Sequence, residues 1–144
     1  MIRSMPAVQI SMLRGRPDRE RIAICRSIQA AIKDTLGLKH DNFHHRIREY
    51  EESNLLFPPP QSKSYVLVEL DLFPGRDAQA KLMLFKTIEA RLEQHGIHPG
   101  DITIIYRETP PENWYLQGRT GTQVLEELRG AAGKATHHSA ETSA

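Results

Sequence analysis

Four short segments of the chain have the hydrophobic pattern of β-strands, and two longer segments have that of helices. The strand patterns cover residues 5–13, 43–50, 64–72 and 102–108. In the first of them Val8, Ile10 and Met12 alternate with smaller or polar residues, which is typical of a strand with one buried face. Proline is compatible with the start of this strand, because the first residue need not donate a ladder hydrogen bond.

The two helical patterns follow the first and third strands. Proline and acidic side chains in Pro17-Asp18-Arg19-Glu20 favour a helix start, and Gly37 is typical of its end. The apolar face predicted for this helix consists of Ile22, Cys25, Ile28, Ile32 and Leu36. The second helix ends near His95-Gly96, and its predicted apolar face consists of Leu82, Phe85, Ile88 and Leu92. Cys25 is interpreted as a core residue.

The rest of the chain is less regular. A short helix is predicted through Val124, Leu125 and Leu128, whereas residues 130–144 lack periodicity and are predicted to be a disordered tail. Residues 51–63 form a long connection that consecutive prolines make stiff. Such a connection is either a plain linker or a loop that covers an active site.

The two halves of the chain repeat each other. Gly15-Arg16 and Gly75-Arg76 both close a strand and open a helix, and they lie 60 residues apart. Other residues of like chemistry correspond at this spacing, or one residue out of phase: Arg21 with Lys81, Asp41 with Asp101, and Glu49 with Glu108. Each half, about residues 5–50 and 64–108, is therefore predicted to be a β-α-β unit whose strands pair in parallel.

Duplication of this unit predicts an α+β fold, a four-stranded mixed sheet with two helices on one face. The predicted domain spans residues 5–129 and follows an extension of residues 1–4. A sheet covered on one side leaves its other face exposed, which favours oligomerisation with the sheets facing inward. The composition agrees, because 39% hydrophobic residues is slightly low for a soluble domain.

Charge and composition disfavour several classes of partner. The formal net charge is +1, so nucleic acid is not expected as a partner. No segment is apolar over the roughly 18 residues of a membrane span, so no membrane partner is expected. The single cysteine excludes an internal disulfide and suits a reducing compartment, which predicts a cytoplasmic location. His44 and His45 do not predict a metal site, because adjacent strand residues point to opposite faces.

Four further motifs, in this order and spacing, resemble the tautomerase superfamily. They are Met5-Pro6, Phe73-Pro74-Gly75-Arg76, the turn at residues 96–102 and Pro110-Pro111-Glu112-Asn113-Trp114. Over about residues 5–118 the chain is similar to the long-chain branch that includes malonate semialdehyde decarboxylase and related tautomerase-like proteins. The resemblance implies a homotrimer of the 4-oxalocrotonate tautomerase and MIF-like fold. It also implies an amino-terminal proline in a pocket at the sheet end, with neither metal nor organic cofactor.

The resemblance implies roles for individual residues as well. Pro6 falls on the catalytic proline, and Asp41 falls on an aspartate that lies near that proline in the decarboxylase. Arg76 falls on a substrate-binding arginine, and Trp114 falls on a tryptophan of the apolar pocket wall. Two positions depart from the decarboxylase. Pro74 stands where the decarboxylase has a second arginine, and Leu116 stands where it has a phenylalanine of the pocket wall. Both differences disfavour decarboxylation of a semialdehyde.

The expected chemistry begins at Pro6. At a chain end its secondary amine is normally protonated, but a partly dry pocket with cationic neighbours lowers the pKa of the amine. The neutral amine would move a proton next to a carbonyl, which is keto–enol isomerisation of a small 2-oxo or enol acid. Arg76 would bind the carboxylate of this substrate or polarise the carbonyl, and Asp41 would orient the amine or act as a second acid or base. Arg76, with Arg14, Arg16 or Arg48 if the fold brings them together, would supply the positive field that lowers this pKa. Arg14 and Arg48 are also expected to bind the substrate, together with Trp114 and Leu116.

Two other functions are consistent with the sequence. A decarboxylase, or a hydratase or dehalogenase, would use the same scaffold with the proline charged as an acid and water as the attacking group. A non-catalytic trimeric module is the third function, because residues 1–4, if retained, leave Pro6 as a tertiary amide without basicity.

Overall fold

Two strand–helix–strand units and a short C-terminal extension make up the fold. The computed structural model describes residues 6–38 and 44–141, and for residues 132–141 only the backbone. The first unit consists of β1 (Ala7–Leu13), α1 (Asp18–Leu36) and β2 (His44–Tyr50). The second unit consists of β3 (Val66–Leu72), α2 (Ala78–Glu93) and β4 (Ile102–Glu108). After them come a small hairpin of β5 (Tyr115–Leu116) and β6 (Arg119–Thr120), and then α3 (Gly121–Glu141).

The four long strands form one mixed sheet in the order β2-β1-β3-β4. Each unit pairs its own two strands in parallel, as the sequence predicts, and the units meet through the antiparallel pair β1–β3. Gln9 and Glu69, which correspond in the repeat, lie directly opposite each other in this central pair. The two repeated units are therefore related by a local twofold axis through the middle of the sheet.

Both helices cover the same face of this sheet, which confirms the predicted layer arrangement. Val8, Ile10 and Met12 of β1 are fully buried and belong to one core cluster with residues of β3 and of both helices. The helices also contact each other side by side. Cys25 packs partly buried against this core, as predicted, and burial raises the pKa of its thiol. No helix in the described part of the chain is long and apolar enough to cross a membrane.

The predicted apolar faces of the helices are wrong at one position each. Ile22 and Leu82 are 48% and 49% exposed, whereas Ile24 and Leu84 are fully buried. Two residues rotate a helix by about 200°, so both members of such a pair cannot face the core. The two errors correspond in the repeat, because each helix packs on the sheet with the same orientation.

The C-terminal segment also differs from the prediction. The backbone of α3 is helical through Glu141, so the expectation of a disordered tail from residue 130 is wrong for residues 130–141. Alanine recurs in this segment, and it is the residue with the strongest helix propensity, although it leaves little apolar periodicity to recognise. Residues 142–144 lie outside the described residues.

Candidate active site

Pro6 lies at the sheet end where β1 begins and β3 ends. The register pairs Ala7 with Asp71, so Pro6 is opposite Leu72, the last residue of β3. Pro6 is buried. The parallel pairing of β3 with β4 brings Glu108, the last residue of β4, to the same end. The loops that follow these two strands therefore leave the sheet at the end where β1 begins.

A cavity of about 460 Å³ opens at this end, between α1 and the loop from β3 to α2. Its described lining residues are Thr35, Leu36, Pro74, Gly75, Arg76, Asp77 and Ala80. Gly75 has a φ of 125°, which favours glycine, and it turns the chain from β3 toward α2. Arg76 directly follows this turn. Pro6 itself is not among the lining residues. Two of the lining residues, Leu36 at the end of α1 and Pro74 in the loop after β3, lie at the same end of the sheet as Pro6.

Arg76 carries a partly buried charge without a carboxylate partner among the described residues. Its guanidinium Nη1 donates instead to the Tyr106 hydroxyl, 3.5 Å away. The neighbouring Asp77 caps α2, because its Oδ1 accepts from the backbone N–H of Ala80 at 2.8 Å. The residue one helical turn after Arg76 is Ala80, which cannot form an ion pair. The positive charge therefore remains available to an anion in the cavity.

The repeat counterpart of Arg76 is Arg16, and this arginine is neutralised. Its Nε lies 3.6 Å from Glu20 Oε1, and its Nη2 donates to the Ser64 carbonyl at 2.9 Å. A second cavity of about 290 Å³ surrounds Arg16 at the opposite end of the sheet. There the chain that enters β3 contacts Arg16 through the Ser64 carbonyl, so the guanidinium already has partners within the protein.

Asp101 holds that entering chain in place. Its two carboxylate oxygens accept from the backbone N–H and the hydroxyl of Ser62, both at 2.6 Å. These hydrogen bonds lower the pKa of the Asp101 carboxyl below its ordinary value. The long connection before β3 is thus attached at the sheet end away from Pro6. Within one chain it does not cover the Pro6 end.

Trp114 lies against the end of β3 in a loop built by three local contacts. Its ring meets Phe73 edge to face, with centroids 5.7 Å apart. Its Nε1 donates to the Thr109 carbonyl at 3.2 Å, and its own carbonyl accepts from the N–H of Gly121 at 2.8 Å. Leu116 is partly buried in the hairpin that follows. Trp114, in the loop after β4, and Arg76, in the loop after β3, thus both lie near the end of β3.

Arg14 and Arg48 do not converge on this end within one chain. Arg14 follows the far end of β1, eight residues or about 26 Å from Pro6, and forms an ion pair with Glu51 at 2.9 Å. Arg48 pairs in register with Ser11, about 17 Å along the strand from Pro6. Because β1 and β3 are antiparallel, they end at opposite ends of the sheet. Arg14 and Arg48 are therefore far from Arg76.

Two positions at this site were not recognised from the sequence. Tyr106 was assigned only to a strand, and Ala80 only to a helix. The repeat contains a signal for Ala80, because Glu20 stands at the corresponding position of the first helix. Asp41, which the sequence assigns to the same site, lies outside the described residues.

Comparison with known proteins agrees with this architecture. Residues 41–116 match the family model described as tautomerase enzyme. The Bacillus subtilis protein named probable tautomerase YusQ is 23% identical over 128 residues, which cover 85% of this chain and 100% of that protein.

Solved structures of low sequence identity share the fold. A malonate semialdehyde decarboxylase named FG41, inhibited by 3-bromopropiolate, has a TM-score of 0.76 and 20% identity, covering 84% of this chain and 96% of that one. A malonate semialdehyde decarboxylase solved in wild-type, mutant and inactivated forms has a TM-score of 0.74 and 19% identity, covering 87% and 98%. A fused 4-OT symmetric trimer has a TM-score of 0.72 and 16% identity, covering 81% and 96%. At these identities the likeness concerns the fold alone.

Proposed function

Because the chain belongs to the tautomerase enzyme family, we propose that it catalyses keto–enol isomerisation of a small 2-oxo or enol acid. The general base is the secondary amine of Pro6, in a mature chain that begins at this residue. The observation that carries this proposal is the unneutralised charge of Arg76, which lines a cavity at the sheet end where Pro6 is buried. An unpaired, partly buried guanidinium is a suitable partner for a substrate carboxylate.

Proton transfer through Pro6 requires a neutral amine. Burial at the start of β1 disfavours the ammonium form, and the positive charge of Arg76 near the same strand end acts in the same direction. The neutral nitrogen accepts the proton from the carbon next to the substrate carbonyl, and the electron pair of the broken C–H bond moves into the enolate. The resulting ammonium then returns its proton to the oxygen, and the reverse sequence ketonises an enol.

The other residues of the site bind the substrate in this scheme. Arg76 holds the carboxylate, so that the carbon that loses its proton lies near the amine. Trp114 and Leu116 provide an apolar wall that excludes water from the enolate. Asp41 is proposed to orient the amine or to act as a second acid or base. Arg14 and Arg48 have no role in this scheme within one chain, because they lie far from Pro6.

Decarboxylation of a semialdehyde is less well supported by the lining of the cavity. Pro74 stands where the decarboxylase has a second arginine, so Arg76 is the sole arginine among the described lining residues. A malonate semialdehyde substrate would therefore meet one guanidinium in place of two. We expect the reaction with malonate semialdehyde or 3-haloacrylates to be slower than ketonisation of an enol acid.

We further propose that the chain assembles as a homotrimer through the sheet face opposite the helices, and that it acts in the cytoplasm. The fused 4-OT neighbours are described as symmetric and asymmetric trimers. Helices cover only one face of this sheet, and the other face includes the exposed Ile105.

The function is tested by measuring ketonisation of phenylenolpyruvate. The protein used is one whose intact mass corresponds to a chain that begins at Pro6. Pro6→Ala is expected to lower kcat/KM by about 10²- to 10⁴-fold, the usual contribution of a positioned acid–base group. Pro17→Ala is the matched control, because Pro17 is an exposed residue before α1 at the other sheet end. Full activity in Pro6→Ala, or in chains that retain residues before Pro6, would refute the proposal.

A further inference from the structure

We propose that Tyr106 is a positioning residue that orients Arg76 toward the carboxylate of the substrate. This inference rests on the function proposed above, since it concerns the same cavity. It adds a side chain from β4 to a site whose described cavity lining comes from the end of α1, the loop after β3 and the start of α2. Tyr106 acts through Arg76 and need not touch the substrate.

The phenol of Tyr106 is fixed by contacts on several sides. Phe85 of α2 meets its ring edge to face at 6.4 Å between centroids. The Nζ of Lys81 lies 5.1 Å from the ring centroid and is itself ion-paired with Glu108. The Tyr106 hydroxyl then accepts from Nη1 of Arg76 at 3.5 Å. A rigid aromatic residue thus holds the end of a long, flexible side chain.

The internal repeat provides a comparison for this arrangement. Lys81 and Glu108 form an ion pair in the second unit, and Arg21 and Glu49 form the corresponding pair in the first, at 3.2 Å. Two residues before each glutamate, the side chains differ. The second unit has Tyr106, and the first unit has an isoleucine, Ile47.

The two repeat-related arginines consequently point to different partners. Without a hydroxyl beside it, Arg16 donates to a backbone carbonyl and contacts Glu20. Arg76 is held by the neutral hydroxyl of Tyr106, which leaves its charge intact. Among the described residues no acceptor is recorded for the remaining N–H groups of Arg76, which can therefore form a bidentate interaction with a carboxylate. Because the side chain is already ordered, less conformational entropy is lost on binding.

The first experiment compares Tyr106→Phe with the wild type, using an enol acid and its methyl ester as substrates. Loss of the hydroxyl is expected to raise KM for the acid about three- to tenfold, the usual effect of one hydrogen bond, with kcat nearly unchanged. The KM for the ester, which has no carboxylate, is expected to stay within twofold. Tyr50→Phe is the matched control, because Tyr50 ends β2 at the opposite sheet end.

The second experiment measures binding without turnover, using the single tryptophan, Trp114, as a fluorescent reporter. Titration with 2-oxobutyrate is expected to give a Kd about three- to tenfold higher in Tyr106→Phe than in wild type, and no such change with the methyl ester. Unchanged 2-oxobutyrate affinity, or no saturable binding to wild type, would refute the positioning role. An equal loss with acid and ester would show that Tyr106 acts by packing alone, which also refutes it.

These outcomes separate the inference from the proposed function. If Pro6→Ala keeps full activity while Tyr106→Phe selectively weakens carboxylate binding, the catalytic proposal fails and the role of Tyr106 stands. If Pro6→Ala is inactive while Tyr106→Phe binds and turns over the acid like wild type, only the role of Tyr106 is refuted.

Discussion

At the scale of single residues, the chemistry of this protein depends on what stands next to each arginine. Arg16 and Arg76 occupy corresponding positions, but only Arg16 has a glutamate one helical turn later. With alanine at position 80, Arg76 has no carboxylate partner among the described residues. A small side chain at one helical position thus decides which end of a nearly symmetric fold presents a usable cation.

Introducing a carboxylate at position 80 should therefore weaken anion binding at Arg76. Ala80→Glu is expected to raise the Kd for 2-oxobutyrate about three- to tenfold, because the introduced carboxylate would compete for Arg76 as an i, i+4 partner. Ala80→Gln, which adds nearly the same volume without charge, is the control for steric effects in the cavity. Trp114 fluorescence titrations check the prediction, and equal effects of the two substitutions would contradict it.

A second prediction at this scale concerns the pH dependence of stability. Hydrogen bonds from Ser62 lower the pKa of Asp101, so the folded state favours its ionised form. This stabilisation is present above the ordinary aspartate pKa of about 4 and is lost as the pH falls through the lower folded-state value. Asp101→Ala is expected to cost about 2 kcal/mol of unfolding free energy at pH 7, and less at pH 2.

Urea denaturation at both pH values measures this difference. Asp18→Asn is the control, because the side chain of Asp18 is 84% exposed and, among the described residues, forms an ion pair with its helical neighbour Arg21. A penalty for Asp101→Ala that is the same at pH 2 and pH 7 would contradict the assignment of the effect to the ionised carboxylate.

At the scale of elements, the hairpin and α3 form the support for Trp114. The carbonyl of Trp114 accepts from the N–H of Gly121, the first residue of α3, so the start of this helix sits directly on the loop. A Cβ at Gly121 would lie 2.2 Å from the Pro111 carbonyl oxygen and 2.9 Å from Trp114 Cβ. The close approach of helix and loop therefore requires glycine at this position.

Gly121→Ala is expected to displace the loop that carries Trp114. The clash involves backbone atoms and cannot be relieved by a side-chain rotation, so we expect a loss of about 1–3 kcal/mol of stability. A shifted Trp114 emission maximum and a raised KM should accompany it. Gly130→Ala is the matched control, because a Cβ there has nothing within 4 Å and should stabilise the helix. Unchanged emission in Gly121→Ala would contradict this account of the support.

At the scale of the whole molecule, α1 and α2 cover one face of the sheet, and no described element covers the other. The helices bury one set of strand residues, and the opposite set contains charged residues together with Ile105, which is 39% exposed. Arg107 on this face is ion-paired with Glu69 and Asp71, both at 2.9 Å. Paired charges and an exposed isoleucine are compatible with a face that is covered by other copies of the chain.

We expect the chain of 16.4 kDa to have a solution mass of about 49 kDa, the value for three copies. Ile105→Glu places a charge on the outer sheet face and should shift the mass toward that of the monomer. Leu82→Glu is the control, because Leu82 is 49% exposed on α2, on the helical side. Analytical ultracentrifugation measures these masses, and a wild-type monomer at micromolar concentration would contradict the prediction.

Local patterns in the sequence are sufficient to predict the four long strands, the first two helices and the duplication. Alternation and helical spacing are local properties, so the four strands and the first two helices were predicted within a few residues of their ends. The spacing of 60 residues between the glycine–arginine pairs identified two β-α-β units with parallel strands. The order of the motifs from Pro6 to Trp114 indicated the family, and the family match confirms it.

Which of these residues meet depends on how the strands and helices pack together. The antiparallel pairing of β1 with β3 puts Pro6 beside the end of β3 and sends Arg14 to the opposite end. The contact between Arg76 and Tyr106 joins residues 30 positions apart, which no local pattern encodes. Strand register and helix rotation are set by packing of the whole core, and a period in the sequence defines neither of them.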